Sequence, residues 1–284
     1  MLNDMFGGVV DVTIDPRREA MTTITGRTRL WLILADPIVQ VKTPQMINGV
    51  IAERGVDGVM IPMHVGSDHL ADAVKAIRGM KNCGGMIITV PHKSAIVDLL
   101  DDVSPNARLI GAVNAIRREA DGRLTGEILD GLGFVAGLKQ NGIDPKGLAA
   151  YLAGAGGAAN AIAFALAEAG VTRLTIANRT RAKAEDLARR LAIAFPALPV
   201  AIGTPDATGH DLLVNATSLG LKQDDALPFD PVSLRPEQIV ADIIMDPEET
   251  AIMAAARAKG CRVHPGKPML LAQRELMSEF LRIG

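Results

Sequence analysis

The sequence predicts a two-domain α/β protein, with a mostly parallel sheet in its first half. Three observations carry this expectation. Short apolar runs alternate with stretches of helical periodicity, the βαβα order that builds parallel sheets flanked by helices. The alternation pauses after Asp130-Gly131 and restarts at Leu148. The chain has 284 residues, enough for two domains of ordinary size.

The elements follow in order. Leu30 to Leu34 reads as a buried strand. Pro44 to Arg54 reads as a helix, with Thr43 as N-cap and Pro44 at the first helical position. Val56 to Pro62 is the second strand. Asp68 to Met80 is an amphipathic helix carrying Leu70, Val74 and Ile77 on one side. Met86 to Val90 is a third strand, ended by Pro91, and Ala95 to Leu100 is helical. Val113 to Ile116 and Leu124 to Gly126 are short strands around the Asp121-Gly122 turn. Leu132 to Gln140 is a connecting helix.

The second half repeats the plan. Strands are expected at Leu148–Ala153, Arg173–Ala177, Val200–Ile202, Leu212–Val214, Ile239–Ile244 and Arg262–His264. Helices are expected at Ala158–Ala169, Arg181–Ala194 and Thr250–Lys259. The last helix, Pro268 to Leu281, has no strand after it and is expected to pack back on the first domain. The expected division is 22–130 joined by 267–284, and 131–266.

Composition narrows the function classes. Hydrophobic residues make up 48% and charged residues 22%, which is globular. A formal net charge of -2 and a pI near 6.2 leave no basic footprint for nucleic acid or anionic lipid. Aromatics at 3% argue against a base-stacking surface. Cys83 and Cys261 form no CxxC and read as reduced, buried thiols of a cytoplasmic protein. Residues 1–20 carry Asp4, Asp11 and Asp15 without a basic start and do not read as a signal peptide. They are expected to be a short extension that lays a strand on the sheet edge. Gly147 to Ala167 lacks charge, but Gly154, Gly156 and Gly157 break it, so a strand, a turn and a buried helix fit better than a membrane span.

The turn after the Leu148 strand carries the first chemistry. Gly154-Ala155-Gly156-Gly157-Ala158-Ala159 fits G-x-G-x-x-[GA] between a strand and a helix. Gly154 allows a tight turn, Gly156 lets the backbone approach a pyrophosphate, and Ala159 allows close helix–strand packing. The phosphates of a dinucleotide would lie at the positive end of the helix, near Gly157 and Ala158. The plainer alternative is a glycine-rich turn in an ordinary α/β domain. The next strand ends in Asn178-Arg179-Thr180, with Lys183 a turn later, where an NAD site expects a carboxylate. An arginine there pairs with a 2′-phosphate, so NADP is expected over NAD. Otherwise Arg179 and Lys183 are solvated surface charges. Asn215 to Gly220 follows an apolar strand with small and hydroxyl residues, Thr217 and Ser218 among them. It suits a loop passing a nicotinamide ribose, or a simple turn.

Taken together, the motifs resemble the shikimate dehydrogenase family, collinearly from about Ala35 to the C-terminus. Thr89-Val90-Pro91-His92-Lys93 is similar to TVPxK, Gly111 to Asn114 to GAVN, and Asp130-Gly131 to the end of NTDG. Gly154 to Ala159 is similar to GAGGAA, Asn178 to Thr180 to NRT, and Asn215 to Ser218 to NATS. Gly266, Met269-Leu270 and Gln273 resemble the G-x-x-ML-x-x-Q tail. The resemblance implies a substrate-binding first domain, an NADP-binding Rossmann second domain, and a place in aromatic amino-acid biosynthesis. It implies catalysis by Lys93 with Asp130 as its partner. Substrate contacts are implied at Thr43, Thr89, Asn114 and Gln273, and cofactor contacts extend to Met245 and Gly266. Without the resemblance, Lys93 reads as a surface lysine after a proline and Asp130 as a helix N-cap.

The pattern also departs from the family. Its S-x-S-P loop, which binds the shikimate carboxylate, is Val41-Lys42-Thr43-Pro44 here, and Val41 offers no donor. Ile128-Leu129 replaces the polar pair before Asp130, and Met245 stands where a tyrosine is common. A small cyclic hydroxy acid is therefore the expected partner, shikimate or a close analogue such as quinate or aminoshikimate, or a less polar ring alcohol. A non-catalytic ligand sensor and a methylenetetrahydrofolate dehydrogenase-like enzyme are the competing classes. The retained Lys93 and Asp130 weigh against the sensor, and the complete motif set against the folate enzyme. The chain is expected to act as a monomer or homodimer. His64, His69, His92, His210 and His264 form no metal-binding spacing; they are expected on loops or the surface, and no metal site is predicted.

Overall fold

The computed structural model describes residues 23–284. The strand expected near the N-terminus lies outside them. The first sheet has six strands: β1 (Arg29–Ala35), β2 (Gly58–His64), β3 (Cys83–Ile88), β4 (Asp102–Val103), β5 (Ala115–Arg118) and β6 (Leu124–Glu127), in the order β2-β1-β3-β5-β6-β4. β1 pairs parallel to β2 and β3, and β4 to β6; β5 runs antiparallel to β3 and β6. The antiparallel β5–β6 pairing follows from the short Asp121-Gly122 connection, where Gly122 takes φ 90°.

The second sheet has β7 (Ala149–Ala153), β8 (Arg173–Ala177), β9 (Val200–Ile202), β10 (Leu212–Asn215), β11 (Ile239–Asp242) and β12 (Arg262–His264). All five pairings are parallel, in the order β12-β11-β10-β7-β8-β9. This is the doubly wound Rossmann order, which reverses between β7 and β10 and places ligands at that point.

The helices are α1 (Thr43–Glu53), α2 (Leu70–Gly79), α3 (Pro105–Ile110), α4 (Asp130–Gln140), α5 (Gly157–Glu168), α6 (Arg181–Ala194), α7 (Ala251–Ala258) and α8 (Lys267–Phe280). Several differ from the sequence expectation. Lys42, not Thr43, is the residue before α1, and Thr43 is already helical with its side chain buried. The expected Ala95–Leu100 helix is only a single 3-10 turn, Val97–Leu99. α3 was not expected, although Ser104 caps it by accepting the Ala107 N–H at 3.1 Å and Pro105 opens it. α8 does return to the first sheet: Met277 and Leu281, with Ile283 beyond them, join Trp31, Ile33, Ile47 and Ile87 in one buried cluster. Trp31 Nε1 donates to the Leu281 carbonyl at 3.3 Å.

Three glycines let α4 pack closely on both sides. A Cβ on Gly131 would overlap the Ala161 carbonyl of α5, and a Cβ on Gly133 would overlap the Gln273 side chain of α8. One on Gly137 would come within 2.9 Å of the Pro268 carbonyl carbon. α4 therefore fixes the start of α8 against the Rossmann helix α5.

Candidate active site

Lys93 lies just beyond the C-terminal end of β3. The chain leaves the strand with the Thr89 N–H donating to the Leu34 carbonyl at 3.1 Å, and the Val113 N–H holds the Lys93 carbonyl at 2.8 Å. Asp130 is the first residue of α4 and only 4% exposed. It does not cap the helix. Its Oδ2 pairs with Lys93 Nζ. Its Oδ1 accepts from Asn114 Nδ2 at 2.7 Å and from Gln273 Nε2 at 3.0 Å. Asn114 Oδ1 in turn accepts the Leu129 N–H at 2.8 Å, which fixes the amide orientation. A buried ion pair holds only when its remaining polar atoms are satisfied, and these two amides satisfy the carboxylate. Lys93 keeps further N–H groups for a ligand, its side chain being 13% exposed. The hydroxyls of Thr43 and Thr89 make no hydrogen bond among the described residues; Thr43 is buried and Thr89 half-buried.

Beside this pair lies the glycine-rich turn between β7 and α5. Gly154 turns the chain at φ 119°, and a Cβ there would sit 2.7 Å from the Ala216 carbonyl. Exposed Gly156 precedes α5 with no side-chain cap, and Gly157 and Ala158 open the helix without an acid in its first turn. The N–H groups of that turn have no side-chain partner, an arrangement suited to an anion. Gly157 also abuts the lysine, since a Cβ on it would lie 3.3 Å from Lys93 Cβ. The start of α5 and the Lys93–Asp130 pair thus lie side by side. At the end of β8, Asn178 Nδ2 donates to the Thr180 carbonyl at 2.9 Å and shapes the turn. Arg179 and Lys183 are exposed, and neither forms an ion pair among the described residues. The residues fit a dinucleotide carrying an extra phosphate.

Beyond β10, Asn215 organises the loop that follows. Its Oδ1 accepts from Thr217 Oγ1 at 2.7 Å and from the Thr217 N–H at 3.1 Å, leaving Ser218 exposed. Its Nδ2 donates to Asp242 Oδ2 at 3.0 Å, which also accepts Thr250 Oγ1 at 2.8 Å. Asp242 is fully buried; burial pushes its carboxyl above the ordinary range, against hydrogen bonds from Asn215, the Ile244 N–H and Thr250. Sequence reasoning missed this acid as a loop organiser. The available signal was a carboxylate ending an otherwise apolar strand, Ile239-Val240-Ala241-Asp242.

The walls differ from the sequence expectation in one respect. Leu129 packs in the α1–α8 cluster, against which half-buried Val41 also rests. Ile128 points elsewhere, into a groove with Asn106, Ile110, Gly131 and Phe164. Successive residues entering a helix project differently, so only Leu129 shares a wall with Val41. Met245 and Gly266 line a pocket with Lys42, Ile244 and Leu270. Gly266 is close-packed, with a Cβ position 2.5 Å from the Ile244 carbonyl. Lys42 Nζ reaches Asp246 Oδ2 at 3.3 Å and ties the two halves at the mouth of this pocket.

Two histidines are buried: His92 lies on a loop, as expected, but inside the protein, and His264 departs from the expectation of a loop or surface role by ending β12. His92 is 1% exposed, its Nε2 on the Val65 carbonyl at 2.7 Å. His264 is 2% exposed and meets the edge of the Phe134 ring. Burial lowers its pKa from 6.5 to about 4, and Arg262 adds to the effect. Cys83 and Cys261 are both free and buried. Among the described residues, no three His, Cys, Asp or Glu side chains form a metal-binding group, and no helix is long and apolar enough to cross a membrane.

Comparison with known proteins places these features in a family. The shikimate dehydrogenase substrate binding domain matches residues 33–116, and shikimate / quinate 5-dehydrogenase matches residues 138–218. The shikimate dehydrogenase (NADP(+)) of Moorella thermoacetica is 42% identical over 262 residues, covering 89% of this chain and 88% of the relative. Among solved structures, shikimate 5-dehydrogenase of Thermus thermophilus in complex with NADP(H) and shikimate is 33% identical with a TM-score of 0.81, covering 89% of this chain and 93% of that one. The ligand-free 5-ketofructose reductase of a Gluconobacter species is 36% identical with a TM-score of 0.80, covering 90% and 94%.

Proposed function

The chain belongs to the shikimate dehydrogenase family, and on that premise we propose that it is an NADP-dependent oxidoreductase interconverting shikimate and 3-dehydroshikimate, or a close cyclic hydroxy acid and its ketone. The observation that carries this reading is Lys93, paired with Asp130 and set against the phosphate-binding turn at Gly157. The proposed division is a substrate domain, 22–130 with 267–284, and a cofactor domain, 131–266.

Bound NADPH supplies the hydride. Gly154, Gly156, Gly157 and Ala158 would hold its pyrophosphate, Asn178 to Thr180 with Lys183 its 2′-phosphate, and Thr217, Ser218, Met245 and Gly266 its nicotinamide end. Lys93 places a proton at the carbonyl oxygen and stabilises the charge that develops there. Asp130 holds the ammonium in position and takes part in the proton relay. Asn114 and Gln273 hold Asp130 and would meet the substrate's hydroxyls. In the oxidation direction the same pair accepts the alcohol's proton. The protein would work in the cytoplasm as a monomer or homodimer; its reduced thiols and mildly acidic pI support that placement.

A second reading has one specific observation behind it. The 5-ketofructose reductase match reaches 36% identity over most of both chains, so reduction of a keto sugar is the competing activity.

Initial rates at 340 nm, with NADP and NAD offered alongside shikimate and quinate, test the main reading. NADP-linked turnover is expected, with Lys93→Ala lowering kcat by about 100-fold or more while NADPH fluorescence still reports binding. Unchanged turnover in that variant would remove Lys93 from the chemistry.

A further inference from the structure

We infer that Arg190 is a positioning residue: from the cofactor half it sets the place of the loop 111–114, which carries Asn114 and holds the Lys93 backbone. This rests on the oxidoreductase reading above and adds a residue that lies outside the motifs supporting it.

α3 ends at Ile110, so its last carbonyls have no partner within the helix. Two of them are met from the other half of the chain. Arg190, on α6, donates through Nη1 to the Leu109 carbonyl at 3.0 Å and to the Ile110 carbonyl at 2.7 Å. A guanidinium placed there also meets the negative end of the helix dipole. Arg190 is itself oriented, because its Nε donates to Asp186 Oδ2 at 2.9 Å, one turn earlier on α6. Its side chain is 22% exposed, so water competes little for these bonds. Asn160 of α5 approaches the same Ile110 carbonyl at 3.4 Å.

The chain from that anchor to Asn114 is short. Gly111 turns it at φ 70°. The Ala112 methyl lies 3.8 Å from a Cβ position on Gly157, in the first turn of α5. The Val113 N–H donates to the Lys93 carbonyl at 2.8 Å, and Asn114 Nδ2 to Asp130 Oδ1 at 2.7 Å. The loop is therefore anchored at its start to α6 and joined at its end to the Lys93–Asp130 pair. α6 itself begins directly after the Asn178–Thr180 turn and carries Lys183 in its first turn, the residues proposed for the 2′-phosphate. A cofactor seated on α5 and α6 thus rests on a frame that Arg190 joins to the Asn114 loop. The chain crosses between the two sheets only at α4 and before α8, so neither crossing does this for the end of α3.

Arg190→Met keeps the apolar stem and removes the donors; Arg190→Lys keeps the charge but has no fork to span two carbonyls. With NADP and shikimate, R190M should lower kcat about tenfold or more, the scale of a misplaced reacting group, while NADPH fluorescence reports the same affinity as for the unaltered chain. R190K should recover part of the loss. Hydrogen exchange gives a readout independent of turnover. NADPH should slow exchange at Ala112 to Asn114 in the unaltered chain, and R190M should abolish that slowing. Unchanged kcat in R190M, or NADPH protection that persists in it, would overturn the inference and leave the dehydrogenase reading standing. An unaltered chain that binds NADPH but turns over no substrate would remove the dehydrogenase reading, and the exchange result then decides the coupling through Arg190 by itself.

Discussion

His264 is a buried base with no hydrogen-bond partner on Nε2, packed against the Phe134 ring edge. Its pKa falls from 6.5 to about 4 because the charged form would lose its water. The sign follows from linkage. The native state binds fewer protons than the unfolded chain, so this contribution is full above pH 6.5 and disappears as the pH drops through about 4. It is worth on the order of 3 kcal/mol at most, at 1.36 kcal/mol per pKa unit. Thermal unfolding should therefore show Tm falling between pH 6.5 and pH 4, and His264→Leu should flatten that fall. An equally steep fall in the variant would assign it to other groups. Single residues were legible in the sequence where their role is local. Gly154 and Gly156 fall on a motif whose spacing is its geometry. Asp130 with Gln273 could not be read that way, because the two are 143 positions apart and meet only through the packing of α4 on α8. The burial of His92 and His264 was hidden for the same reason: no local pattern separates a buried histidine from an exposed one.

Among the elements, α4 shows how packing overrides propensity. Glycine costs about 0.5–1 kcal/mol relative to alanine within a helix. At Gly49 in α1 nothing lies within 4 Å of a Cβ, so Gly49→Ala should stabilise by about that amount. At Gly131 the added methyl meets the backbone carbonyl of Ala161, which cannot rotate away. Gly131→Ala should destabilise by about 1–3 kcal/mol, the usual cost of overpacking. It should also lower activity by moving Asp130. Paired denaturant melts of the two variants check both signs, and two stabilising substitutions would refute the packing argument. The long elements were legible because apolar periodicity survives in them, as in β8 and α6. α3 was missed because six residues are too few to display a period, although its Ser104-Pro105 start and Gly111 end are ordinary helix signals. β4, two residues long, leaves no pattern at all.

Over the whole molecule, the two sheets are stitched by α4 and by the return of α8. Met277, Leu281 and Ile283 complete the cluster around Trp31, and burying side chains of this kind is worth about 2–5 kcal/mol each against truncation to alanine. Deleting 267–284 should therefore collapse the first sheet while the second remains folded. Hydrogen exchange would show lost protection over 29–127 and retained protection over 149–264; uniform protection would contradict it. The two-domain plan itself was legible, because the alternation of strands and helices restarts after Asp130. The β5–β6 hairpin was legible from its Asp121-Gly122 turn, whereas the antiparallel pairing of β3 with β5 needed the structure, since it depends on which edge a strand joins.

The place of that closing helix, after both sheets in chain order, also bears on how the protein is made. Domains generally fold as they emerge from the ribosome, first part first. Here the first sheet lacks part of its core until α8 and Ile283 have emerged, whereas the second sheet has all of its described strands once His264 has emerged. The order of maturation is thus the reverse of the order of translation. A nascent chain stalled before α8 carries a complete second sheet beside an unfinished first one that presents Trp31, Ile33 and Ile47 to chaperones.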